Sequence, residues 1–113
     1  MICQSESIGD VLKISVNGGL TTATAEKFRK TIQESLKTHR NILLDCKLLT
    51  QIDTVGMETL AAALKTTIEH DGALKLAAIP PSPWIVFDIT KSANVFDIYG
   101  TVEEALAAFK GMS

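Results

Sequence analysis

A hydroxyl gains chemical interest where a phosphate on it would be stabilised, and one segment of this chain offers that setting. In Asp53-Thr54-Val55-Gly56-Met57 an aspartate and a threonine stand directly before an amphipathic stretch. Helix starts present N–H groups without partners and the positive end of the helix dipole. A threonine there is well sited to become a phosphate, because the same N–H groups bind the phosphate oxygens. Gly56 has no Cβ and leaves room for close approach by a phosphate or a partner. A plainer reading uses the same residues: Asp53 or Thr54 is an N-cap, and Gly56 is tolerated in the first turn. On local physics alone, capping is the commoner fate of such residues.

Other chemistry finds no support. Gly18-Gly19-Leu20 fits neither the Walker nor the dinucleotide spacing, and there is no nucleophile elbow. His39 and His70 are far apart, neither at ligand spacing from Cys3 or Cys46, so no metal is expected. Carboxylates are scattered. The expectation is a protein with no cofactor and no catalytic residues. The two cysteines read as free buried thiols of a cytoplasmic protein, with Cys46 inert.

The elements that must position Thr54 follow from periodicity. Residues 2–8 and Val11 to Val16 read as two strands of a hairpin around Gly9-Asp10. Leu12, Ile14 and Val16 alternate with polar neighbours, and Asn17-Gly18-Gly19 ends the second strand. A helix from about Thr22 to Thr38 carries Ala25, Phe28, Ile32 and Leu36 on one face. Asn41 to Cys46 is a buried strand, and Lys47 to Ile52 a loop. A helix from Thr54 or Val55 to His70 presents Met57, Leu60, Ala61, Leu64 and Ile68. Leu74 to Ile79 is a strand. Ser82 caps a helix with Pro83 at its first position, and Trp84 in that helix packs on the sheet or the adjoining loop. Val95 to Tyr99 is a short apolar piece. Thr101 and Glu104 have the spacing of a capping box opening a last helix that ends at Gly111. Asp88 and Asp97 are surface charges.

Alternation of strand and helix implies a small α/β domain, a mixed four- to five-stranded sheet with about four helices. At 113 residues and 46% apolar content, the chain has enough core for one domain, taken as residues 1–113. Eleven basic against 13 acidic residues give a net charge of -2, which argues against nucleic acid as a partner. No apolar run approaches the roughly 18 residues of a membrane span, and MICQSES lacks the pattern of a secretory signal.

Three blocks resemble the STAS domain family of bacterial anti-sigma factor antagonists, over essentially the whole chain. VLKISVNGGLTTATAEKF is similar to the family's strand, G-x-L-D turn and first helix. NILLDCKLLTQIDTVGM resembles its strand, loop and D-S-[ST]-G-L segment, and VFDIYGTVEEALAAF its ending. The resemblance implies that Thr54 is the phosphoacceptor and that Asp53, Val55, Gly56, Met57, Asp45 and Thr21 belong to the partner-binding region. The implied partner is an anti-sigma factor that is also a serine/threonine kinase of the histidine-kinase-like ATPase fold, with a phosphatase as a further partner. The unmodified protein would bind that kinase as a monomer in the cytoplasm. Thr54 replaces the commoner serine, Val55 a small polar residue, Thr21 the turn aspartate, and Lys91-Ser92 the family's Gly-Leu. Some STAS proteins with Asp-Thr-x-Gly resemble this one and serve as cytoplasmic subunits of lipid-transport ATP-binding-cassette complexes. That is the alternative, with the same helix start as a constitutive docking surface.

Overall fold

In the computed structural model, which describes residues 1–111, Gly9 turns the chain between β1 (Ile2–Ile8) and β2 (Val11–Leu20). Its φ of 62° lies in the left-handed region that glycine enters at little cost. The two strands pair antiparallel from Ile2–Asn17 to Ile8–Val11. The remaining elements are α1 (Ala25–Ser35), β3 (Asn41–Asp45), β4 (Leu49–Ile52), α2 (Thr54–Glu69), β5 (Ala73–Ala77), α3 (Pro81–Ile89), β6 (Asp97–Tyr99) and α4 (Val102–Lys110), with a 3₁₀ turn at Ser92–Asn94. The sheet order is β1-β2-β3-β5-β6, parallel from β2 onward, and β4 pairs with β2 alone. The expected mixed sheet with four helices is present, with one strand more than the sequence suggested.

Strand alternation sorts the side chains into two layers. Leu12, Ile14, Val16, Ile42, Leu44, Leu74 and Leu76 face the core shared with Phe28 and Ile32 of α1, Met57 and Leu60 of α2, and Phe87 of α3. Val11, Leu43 and Ala77 point the other way, against Ala105 and Phe109 of α4. Central β3 is therefore covered on both faces, which explains its unbroken Ile42-Leu43-Leu44 run. Lys75 also points toward α4. It is buried, with its ammonium bonded to Asp97 at 3.2 Å and set over the Tyr99 and Phe109 rings.

Several boundaries differ from expectation, each for a visible reason. β2 does not stop at Asn17-Gly18-Gly19. It continues to Leu20 because β4, expected as loop, pairs with its last residues across a register shift at Gly18/Gly19. α1 begins at Ala25 rather than Thr22, since Thr21–Thr24 forms a turn closed by its own hydroxyls. α2 places Met57 and Leu60 in the core and Leu64 against it, as expected, but its inward face is rotated from the rest of the expected row. Gly56, Met57, Thr59, Leu60, Ala63 and Thr67 are buried, whereas Ala61 and Ile68 are exposed. The buried Thr59 and Thr67 hydroxyls donate to the Val55 and Ala63 carbonyls one turn back, which removes the cost of burying them.

Ser82 does not cap α3. That helix starts two residues earlier, at Pro81 with Pro80 in the cap position. Trp84 stacks on Phe87 at 6.3 Å between ring centroids but stays 39% exposed, so it packs only in part. The Thr101 cap is present: its hydroxyl oxygen accepts the Glu104 N–H at 3.1 Å, and the hydroxyl donates to the Glu104 carboxylate.

Candidate functional site

The end of β2 and the start of α2 meet backbone to backbone. A Cβ on Gly56 would lie 2.0 Å from the Leu20 carbonyl oxygen and 2.7 Å from its carbon, so only glycine fits. The Asp53 N–H donates to the same Leu20 oxygen at 3.3 Å. This contact, rather than room for a ligand, is what Gly56 provides.

Asp53 is the N-cap. Its Oδ1 accepts the Gly56 N–H at 2.7 Å, and its backbone carbonyl accepts the first intrahelical bond from Met57. Oδ2 accepts the N–H of Thr22 at 3.0 Å and the Thr22 hydroxyl at 3.2 Å. The Gly56 and Thr22 N–H bonds stabilise the ionised form and hold this carboxyl below the usual aspartate range. Thr54 is therefore the first helical residue, not the cap, and its side chain is exposed. Among the described residues, the Thr54 and Val55 N–H groups and the Thr54 hydroxyl have no hydrogen-bond partner. Two open donors and the positive end of a 16-residue helix thus flank an exposed hydroxyl.

The other expected site residues separate by exposure. Val55 is exposed at 38% and Thr21 is half-buried, whereas Gly56 and Met57 are buried and act from beneath the surface. The Thr21 carbonyl accepts the Thr24 and Ala25 N–H groups, which makes it the hinge of the turn into α1. Asp45 is 2% exposed at the end of β3, with its carboxylate accepting the Lys47 N–H at 3.2 Å. A partner touching the surface would not reach that carboxylate in this conformation. Cys46 is buried as expected, and burial together with the Asp45 charge pushes its thiol up to about 12. Cys3 is only half-buried.

Thr22 escaped the sequence reading. Its bond to Asp53 joins residues 31 apart, and the only trace in the sequence is the hydroxyl-rich run Thr21-Thr22-Ala23-Thr24. An apolar patch was also unforeseen. Ile85, Ile89 and Val95, on and just after α3, are 56%, 73% and 59% exposed beside Trp84. Among the described residues no group of His, Cys, Asp and Glu could hold a metal, and no helix is long and apolar enough to cross a membrane.

This α/β domain has the fold of the STAS domain family. The family model matches residues 3–105, and the chain belongs to that family. Among named relatives, "Putative anti-sigma factor antagonist BtrV" of Bordetella bronchiseptica is 26% identical over 106 residues, covering 93% of this chain and 91% of that protein. An anti-sigma factor antagonist from Mycobacterium paratuberculosis superposes with a TM-score of 0.84 at 22% identity, over 95% of this chain and 92% of its own. The anti-sigma factor antagonist SpoIIAA in its unphosphorylated form has a TM-score of 0.73 at 18% identity, over 98% and 100% of the two chains. These structural likenesses show a common fold.

Proposed function

We propose that this chain is an anti-sigma factor antagonist, a cytoplasmic regulatory module that binds rather than catalyses. Its partner is an anti-sigma factor that is also a serine/threonine kinase of the histidine-kinase-like fold. The observation that carries the reading is the exposed Thr54 hydroxyl at an open helix start, beside an Asp53 carboxylate already fixed in place. The names of BtrV and of the structural relatives support an anti-sigma factor as the partner. In the bound complex the kinase transfers the γ-phosphoryl of ATP to the Thr54 oxygen, releasing ADP and the hydroxyl proton, and a phosphatase reverses the change. The phosphate adds about −1.5 to −2 charge next to Asp53 on the docking surface. The open N–H groups of α2 stabilise it on this chain, while like-charge repulsion and desolvation weaken the complex. A coupling of about 1–3 kcal/mol corresponds to a roughly 5- to 150-fold loss of affinity.

The test is incubation with the kinase encoded by the same cell and ATP, mass spectrometry of the product, and capture by wild type against Thr54→Glu. Phosphate on Thr54 and loss of the kinase from the variant are expected. Phosphate only elsewhere, or equal capture by both proteins, refutes the switch. Equal capture of an ATP-binding-cassette ATPase would indicate the transporter-subunit role, with Thr54 as an unmodified first residue of α2.

A further inference from the structure

The Asp53 carboxylate joins two elements. One oxygen belongs to α2 through the Gly56 N–H at 2.7 Å. The other reaches the β2–α1 turn, where Thr22 supplies both an N–H and a hydroxyl. That turn holds its own shape. The Thr24 hydroxyl donates to the Gly19 carbonyl at 2.8 Å and accepts the Thr21 N–H at 2.9 Å. Asp53 therefore does not form the turn; it fastens it to the start of α2.

We propose that Thr22 is a positioning residue for the Thr54 switch: the Thr22–Asp53 clasp holds the β2–α1 turn and the start of α2 as one surface, and a phosphate on Thr54 opens it. The proposal rests on the reading of Thr54 as the phosphoacceptor. The phosphate places its charge one residue from Asp53 and takes the open Thr54 and Val55 N–H groups, while Asp53 holds the Gly56 N–H, so the two anions repel at close range. The bond to Gly56 is the shorter and lies in the field of the helix dipole. The bonds to Thr22 are longer and reach a separate element, so they are the ones that break as the carboxylate turns from the phosphate. The released turn keeps its threonine bonds but loses its register with α2. A partner gripping both elements then loses more than the local repulsion would remove.

The experiment uses the full chain with phosphothreonine installed at position 54 by semisynthesis, verified by mass. Amide shifts and amide exchange are compared with the unmodified protein by nuclear magnetic resonance. The Thr22 amide is expected to shift and to exchange at least about fivefold faster, the low end of a switch-sized coupling, while the Gly56 amide keeps its protection. Thr22→Val, which lacks the hydroxyl donor, should reduce this phosphate-dependent change, and Thr22→Ser should restore it. A Thr22 amide that does not respond, or release of Gly56 in its place, overturns the proposal. Because the phosphate is installed chemically, the clasp is judged apart from the kinase. A kinase that ignores Thr54 defeats the functional reading alone, and a clasp that stays closed in the phosphoprotein defeats this inference alone.

Discussion

Gly56→Ala tests whether the site is held by backbone contact. Alanine favours a helix by about 1 kcal/mol over glycine, so on propensity alone the substitution should stabilise α2. The structure predicts the opposite. The added Cβ would stand 2.0 Å from the Leu20 oxygen, and the obstacle is backbone, which has no rotamer to escape into. Comfortable non-bonded separations are about 3.5 Å, so the start of α2 must retreat by roughly 1.5 Å. Overpacking of this kind costs typically about 1–3 kcal/mol, and a backbone clash this deep belongs at the upper end. After subtracting the propensity gain, the variant should lose about 2 kcal/mol, or roughly 8 °C in melting temperature for a domain of this size. Urea and thermal unfolding measure it, with Gly111→Ala as control. There φ is -73° and the nearest atom to the new Cβ is 3.6 Å away, so stability should hardly change. A Gly56→Ala protein as stable as wild type would refute the close approach, and with it the placement of Asp53.

Three further outcomes are expected. Thr101→Ala removes the acceptor for the Glu104 N–H and should cost about 1 kcal/mol in urea unfolding, whereas Thr101→Ser should be nearly neutral. Asp53 has a folded pKa below its ordinary value of 3.8, so its stabilisation is complete above that value and is lost as pH falls through the folded pKa. The stability gap between wild type and Asp53→Asn should therefore shrink in acid, and a constant gap would contradict the bonds to Gly56 and Thr22. Cys46 is raised from 9.0 to about 12, so its contribution is intact below pH 9 and fades as pH climbs toward 12. Alkylation of the native protein near neutral pH should mark Cys3 and spare Cys46 until the chain unfolds, read by peptide mass mapping.

What could be read from the sequence was whatever a single element's periodicity encodes. The alternation of Leu12, Ile14 and Val16 marked a half-buried strand, and the apolar run of β3 marked a strand covered on both faces. The Thr101–Glu104 spacing located the last helix. The misses arose where a distant contact overrode local pattern. β4 has only four residues, two of them buried, and exists because the end of β2 is there to pair with. The inward face of α2 is set by Gly56 against Leu20. Threes and fours counted from Met57 reach Ala61, Leu64 and Ile68, whereas counted from Gly56 they reach Leu60, Ala63 and Thr67, and it is the row of Gly56 that the Leu20 contact turns inward. At the site, the Asp53-Thr54 helix start was legible, because capping chemistry is local. The Thr22 clasp was not, because nothing near Asp53 in the chain announces a donor 31 residues earlier.

Besides its antiparallel pairing with β1, β2 serves two parallel ladders in succession. Val11–Ser15 lie along β3 in the main sheet, and Gly18–Leu20 lie along β4, past the register shift. One strand thus ties the central sheet to the edge of the proposed docking surface, and its last residue, Leu20, still belongs to the core. On the proposed reading, the positions of the β2–α1 turn open to variation are the exposed Thr22 and Ala23, since Leu20 is buried in the core and the Thr24 hydroxyl holds the turn.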